Sequence, residues 1–238
     1  MKPKFCAAAL CGIILITALL PACGNGVSLT SSLTAREIID RSCIEMEEVN
    51  SFGFDLTHDG GGTPIIIGLD MTQAAGMIVK PDRLQATVSA TMLGMFFEFE
   101  VITIGEATYI TNPLSKEKEW QPLSSDFKGV ELFDPDAGVI AIMKGLADVS
   151  RLDDEKAAGV NCYKLKGSID SGTLISIFGS TVLEGVAIAI EVWIGSEDLL
   201  VHQITFEGQI TESEEPGIIR TLKLSDFDKP VTIEIPQL

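Results

Sequence analysis

The spacing of apolar positions changes at residue 52, and that change marks where the first helix gives way to strands. Thr34 is a good helix N-cap, Glu37 three residues on completes a capping box, and Leu33 can staple against Ile38. Ile39, Cys43 and Met46 form an apolar stripe with Ile38 and Val49 beside it, while Asp40, Arg41, Glu47 and Glu48 face water. This predicts a helix that ends near Asn50-Ser51. From Phe52 the period is two: Phe52, Phe54 and Leu56 alternate with Gly53, Asp55 and Thr57, as in a strand with one wet face. His58-Asp59-Gly60-Gly61-Gly62 predicts a turn. Residues 63–79 predict a strand interrupted around Gly68 and Gly76, and Lys80-Pro81-Asp82 turns the chain. Residues 84–91 and 95–103 predict two strands joined near Leu93-Gly94. In the second, Phe97, Phe99 and Val101 share a face opposed by Glu98 and Glu100. Gly105-Glu106 predicts a hairpin into 107–111.

Residues 114–129 are polar. Asp134-Pro135 then predicts a helix start, an acidic N-cap with proline at the first helical position. The body of that helix, 137–149, carries Ile140, Met143, Leu146 and Ala147 on one side. A short strand is predicted at 162–166, with Tyr163 and Leu165 on one face. Residues 171–180 hold Leu174, Ile175, Ile177 and Phe178 between glycines, a short helix or a movable flap. Across 185–195, Val186, Ile188, Ile190, Val192 and Ile194 share one face against Ala187, Ala189, Glu191 and Trp193. Strands at 202–210, 218–224 and 231–235 complete the chain. So many antiparallel strands with so few helices predict an α+β fold, one large curved antiparallel sheet packed on one side by helices. No internal repeat divides residues 34–238, which read as a single domain.

Ahead of this body lies an almost unbroken apolar run, 5–23, preceded by Lys2 and Lys4 and ending on small residues. That is the layout of an export signal. Leu20-Pro21-Ala22-Cys23 resembles the bacterial lipobox, which implies that residues 1–22 are a lipoprotein signal peptide and that Cys23 is acylated and heads the mature chain. Residues 23–33 would then be an acylated N-terminus and flexible tether. The alternative is an ordinary cleaved signal or an uncleaved membrane anchor, for which the run is long enough. Either way the body is expected outside the cytoplasm beside a membrane. With Cys23 acylated by palmitate-like chains, it would be lipid-anchored on the extracytoplasmic face of the bacterial cell membrane.

Charge narrows the partners. The chain has 17 Lys and Arg against 34 Asp and Glu, a formal charge of −17, and losing Lys2 and Lys4 takes it to −19. Such a surface repels phosphate backbones, so nucleic acid is excluded as a partner. Beyond the signal and Cys23, two cysteines remain, Cys43 and Cys162. They either pair in an oxidising compartment or are separate buried thiols. His58 sits in the predicted turn, and His202 is in phase with Ile204 and Phe206, as a structural histidine would be. There is no Cys-x-x-Cys, no His-x-x-x-His and no Gly-x-Ser-x-Gly, and Gly60-Gly61-Gly62 lacks the lysine of a phosphate loop. Asp134-Pro135-Asp136 and the run Glu212 to Glu215 read as a helix start and a solvated turn, without the ligand spacing of a calcium loop. No catalytic residue, metal site or cofactor is predicted.

Several segments together resemble the LppX/LprG-type bacterial lipoproteins. They are Ala35-Arg36-Glu37-Ile38-Ile39, Met46-Glu47-Glu48-Val49-Asn50-Ser51-Phe52, Ala107-Thr108-Tyr109-Ile110, Glu191-Val192-Trp193-Ile194-Gly195 and Leu200-Val201-His202-Gln203-Ile204. The closing Leu222-Lys223-Leu224-Ser225-Asp226-Phe227-Asp228-Lys229-Pro230-Val231-Thr232-Ile233 belongs with them. The resemblance implies a half-open antiparallel sheet, a LolA/LppX-like half-barrel wrapped around helices, with an apolar cavity for the acyl chains of a lipid or glycolipid. It implies a role in carrying or presenting lipid in the cell envelope, without catalysis, in exchange with an envelope transporter or another envelope protein. Only Cys23 transfers residue by residue. The cavity lining is expected from patterning instead: Phe97, Phe99 and Val101; Ile140, Met143 and Leu146; Leu174 and Phe178; Ile188, Ile190 and Val192. An apolar fraction of 46% and a mean hydropathy of +0.30 in so acidic a chain agree with such a lining. The competing reading is a non-enzymatic envelope scaffold or sensor that binds another protein.

Overall fold

The computed structural model describes residues 33–66, 69–115, 117–123, 138–175 and 182–238. Helix α1 (Ala35–Glu48) starts with its capping box closed: the Glu37 amide donates to Thr34 Oγ1 at 3.2 Å and the Thr34 amide to Glu37 Oε2 at 2.8 Å. Ile38, Ile39, Cys43 and Met46 are its buried stripe. At its other end Lys80 Nζ donates to the carbonyls of Met46 (2.9 Å) and Glu47 (3.2 Å), which have no partner within the helix.

The strands follow as β1 (Ser51–Asp59), β2 (Thr63–Ile66), β3 (Leu69–Val79), β4 (Arg83–Met92), β5 (Met95–Ile104), β6 (Ala107–Thr111) and β7 (Trp120–Pro122). After α2 (Val139–Gly145) come β8 (Ala147–Arg151), β9 (Glu155–Ala157), β10 (Val160–Asp170), a 3-10 turn (Ser171–Leu174), β11 (Ala187–Gly195), β12 (Val201–Glu207) and β13 (Ile219–Ser225). They make one open antiparallel sheet in the order β7-β6-β5-β4-β3-β1-β13-β12-β11-β10-β8, with β2 added beside β3 and β9 beside β10. The α+β plan of a large antiparallel sheet with helices on one face therefore holds. The alternation carries it: Leu84, Ala86, Val88 and Ala90 are buried along β4 between exposed Arg83, Gln85 and Thr87.

Register gives the sheet two ends. Ser51 pairs with Val79 and Gly53 with Ser225 at one, and Asp59 pairs with Ile219, Asp70 with Thr91 and Met92 with Met95 at the other. Helix α1 runs from the second end to the first, because Arg36 donates to the Leu146 carbonyl beside Ala147, which pairs with Ser168 late in β10, whereas Lys80 holds the helix C-terminus.

Three expectations change. Residues 63–79 are two strands rather than one interrupted strand. Gly76 lies inside regular β3, where an added Cβ would sit 2.1 Å from the Gln85 carbonyl oxygen, so it serves close approach of β4 and not a break. The second helix stops at Gly145 instead of continuing through 149, since β10 offers Ala147–Arg151 a strand partner that an isolated helical turn lacks. Residues 231–235 join no strand. The tail crosses the first end of the sheet instead: the Asp228 amide donates to the Ser51 carbonyl at 2.7 Å and Arg83 Nη1 to the Ile233 carbonyl at 2.9 Å. The alternation there reflects burial of Ile233 against the sheet end, without strand pairing. The predicted helix start at Asp134-Pro135 lies outside the described residues.

Candidate functional site

The inner face of the sheet, the one beneath α1 and α2, is the face on which most of the expected lining residues fall. Of the expected lining residues, Phe99, Val101, Ile140, Met143, Leu146, Leu174, Ile188, Ile190 and Val192 are all buried in a single apolar cluster. That cluster extends from Phe99 and Val101 on β5 to Leu165 and Ile169 on β10. Phe97 is only half-buried and stands apart from it, near the end of the β4–β5 hairpin. Phe178, like Cys23, lies outside the described residues. Between α1 and α2 a recess of about 10 Å³ is lined by Met46, Phe52, Lys80, Val139 and Ile140, room for one water at most. A larger recess of about 140 Å³ at β5 and β6 is lined largely by polar groups, among them Glu98, Glu100, Asn112 and Lys118. Lys118 pairs there with Glu100.

The cysteines are not brought together. Both are free and buried, and no bridge joins them. The strand period is the reason: Tyr163 and Leu165 of β10 turn inward, so Cys162 faces outward, in a small cluster with Ala157 and Trp193. Cys43 lies on the buried stripe of α1, in the inner cluster. Its thiol is pushed up to about 11, chiefly by burial. Burial also raises the Cys162 thiol. Neither is a ready nucleophile. On the outer face Lys164 lies 4.6 Å over the Trp193 ring and bridges Glu155 (3.0 Å) and Glu191 (3.2 Å), tying three strands together.

His202 is structural as expected: it is buried, its Nε2 lies 3.0 Å from Asp198 Oδ2, and its ring meets Phe227 edge-on at 5.4 Å. His58 differs from expectation. It belongs to β1, is half-buried, and opens a polar chain that leads to a buried ion pair at the second end of the sheet. Arg220 and Glu214 form an ion pair with both side chains fully buried. Glu214 Oε2 accepts from the amides of Ile210 (2.7 Å) and Thr211 (3.0 Å), and Arg220 Nη1 donates to the Gly208 carbonyl at 3.1 Å. Arg220 Nε donates to Thr63 Oγ1 at 3.1 Å. Facing the acceptor-only Thr72 carbonyl at 3.0 Å, His58 Nδ1 carries the neutral ring's proton, so Nε2 accepts from the Thr63 hydroxyl 2.8 Å away. Burial is the main cause holding His58 below its ordinary value, and the Arg220 charge adds to it, against the Thr72 carbonyl and Glu214. With its ion pair fully buried, this chain pins residues 208–219 and the β1–β2 turn to the sheet. The Glu212 to Glu215 run reads as solvated because acidic runs usually are. The signal that could have revealed the pair is Arg220 itself, a lone cation on the inward phase of Ile218, Leu222 and Leu224.

Over residues 34–233 the sequence matches the profile of the LppX_LprAFG lipoproteins. The chain belongs to the LppX_LprAFG lipoprotein family. Solved structures share its fold. The crystal structure of LprF from Mycobacterium bovis superposes with a TM-score of 0.67 at 15% identity, covering 85% of this chain and 96% of that one. Lipoprotein LppX of Mycobacterium tuberculosis gives a TM-score of 0.59, also at 15% identity, covering 84% and 98%. No curated protein sequence matches the chain. At that identity the shared property is the backbone plan, and this LppX_LprAFG lipoprotein has its own side chains on the inner face.

Proposed function

We propose that this LppX_LprAFG lipoprotein is a non-catalytic lipid carrier of the cell envelope, held to the extracytoplasmic face of the membrane by acylated Cys23. It takes up the acyl chains of a lipid or glycolipid between α1, α2 and the inner face of the sheet. The supporting observation is the size of that face relative to what covers it. Its apolar cluster runs across the eight adjacent strands from β5 to β10, about 34 Å of sheet at ~4.8 Å per strand. Helices of 14 and 7 residues, each about 10 Å wide, and the 3-10 turn at Ser171–Leu174 are the helical cover among the described residues. Small residues, Ala74, Ala86 and Ala90, lie on β3 and β4 within it.

In the conformation described the sheet and helices are closed on one another, so uptake requires the helical cover to part from the sheet. Burial of one long acyl chain contributes on the order of 10 kcal/mol before ordering costs, at about 0.8 per methylene. Recognition then follows chain length and shape more than headgroup.

Mass spectrometry of an organic extract of the purified protein, with a fluorescent fatty-acyl probe on the delipidated protein, tests the reading. Bound lipid, or saturable probe binding reduced by Met143→Trp with the circular dichroism unchanged, is the expected result. A protein that carries no lipid and binds no probe leaves the inner face as ordinary core and returns the envelope scaffold as the better account.

A further inference from the structure

The β4–β5 hairpin ends in apolar side chains that the fold does not use. Leu93 is 93% exposed, Phe96 66% and Met95 55%, with Phe97 and Met92 half-buried behind them. The turn itself is built against leucine. Leu93 and Gly94 have φ of 52° and 78°, the left-handed pair of a two-residue hairpin, where asparagine and glycine meet the demand and a leucine Cβ does not. Leu93 thus occupies a disfavoured backbone conformation with a side chain that packs on nothing.

The charge pattern isolates the same tip. In a chain with 17 basic and 34 acidic residues, none of the residues from Leu84 to Phe97 is charged. The tip also lies at the end of the sheet where α1 begins, because Met92 and Met95 share that end with Asp59 and Ile219, while the α1 N-terminus lies by Leu146. The chain leading to Leu33, and through it to Cys23 ten residues before, therefore joins the body at the end that carries the tip. Ten residues reach at most about 35 Å.

We propose that the β4–β5 tip is a second membrane contact: Leu93, Met95 and Phe96 dip into the interfacial region of the bilayer and orient the body with this end towards the lipid. A bilayer fits the tip better than a protein partner. Leu93, Met95 and Phe96 offer apolar area and no side-chain hydrogen bond by which a specific partner would be chosen, and thioether and aromatic groups adapt to a disordered interface. An anionic headgroup layer repels the acidic surface elsewhere, so an uncharged projection is the part that approaches without desolvating a charge. The contact does not depend on lipid being carried inside.

The test uses the full chain in phosphatidylcholine vesicles, with and without brominated acyl chains, comparing Leu93→Trp with Glu197→Trp, which lies in the exposed β11–β12 turn at the opposite end. Trp120 and Trp193, common to both proteins, supply the background. The expected result is that the added emission at 93 is blue-shifted and quenched several-fold more by the brominated lipid than that at 197. Equal quenching overturns the inference. So does a blue shift at 93 that bromine leaves untouched, which means that a second copy or another protein covers the tip. Quenching at 93 in a protein that yields no extractable lipid removes the carrier reading and keeps this contact, and lipid-loaded protein without quenching does the reverse.

Discussion

Glu214→Ala removes one half of the fully buried ion pair and, with it, the acceptor of two backbone amides. Arg220 keeps its bonds to Gly208 and Thr63 but loses the Glu214 carboxylate, and its side chain has no exposure through which water could compensate. Stranding one member of a buried pair costs about 3–5 kcal/mol. The amides of Ile210 and Thr211 lose Glu214 Oε2 as well, a further ~1–3 kcal/mol that partly overlaps the first figure. A loss of about 4 kcal/mol or more is a large share of the ~5–15 kcal/mol of a typical domain. For a chain of this size it lowers Tm by about 10 °C. Glu214→Gln keeps an acceptor for the amides and drops the charge, so it falls between parent and alanine. Urea denaturation followed by circular dichroism measures all three. Pairing each variant with Arg220→Met closes a double-mutant cycle, in which the doubly substituted protein should recover part of the single loss, since replacing both partners removes the stranded charge. A loss below about 1 kcal/mol for Glu214→Ala, or strictly additive effects in the cycle, would refute the account of the pair as a pin.

Other consequences follow from single groups. His58 is held below its ordinary value of 6.5, so the unfolded chain takes up the proton first. Stability is therefore whole above about pH 6.5 and declines as pH falls below it; denaturation midpoints between pH 7.5 and 5 should slope downward in the parent and more weakly in His58→Gln. Cys43 and Cys162 are separate and buried, so an aromatic disulfide reagent should find them silent in the native body and both reactive after denaturation without reductant, and a reducing agent should leave Tm unchanged. Loss of both thiol signals on denaturation would mean a bridge. Cys23→Ala should abolish incorporation of a fatty-acid analogue in cells while leaving the melting of the body as in the parent; equal label in both proteins would restore the uncleaved anchor.

Sequence alone determined what is local. The capping box at Thr34 and Glu37, the stripe of α1, the two-residue turn at Leu93-Gly94 and the inward phase of Ile188, Ile190 and Val192 all depend on spacings of a few residues, and each has the form its spacing dictates. Periodicity states which face of an element is apolar, and so it also marks the residues of the inner cluster. It does not state which distant segment that face meets. Residues 147–149 continue a helical apolar pattern but lie in β8 beside β10, and the alternation at 231–235 belongs to a tail folded across a sheet end. Cys43 and Cys162 are each legible as buried, yet a 13-stranded sheet separates their faces, and only the register of β10 decides that. Glu214 reads as solvated until the loop after β12 turns it onto Arg220. Pairing, facing and desolvation are properties of two segments at once, and the positions that depend on them become definite when the sheet brings those segments together.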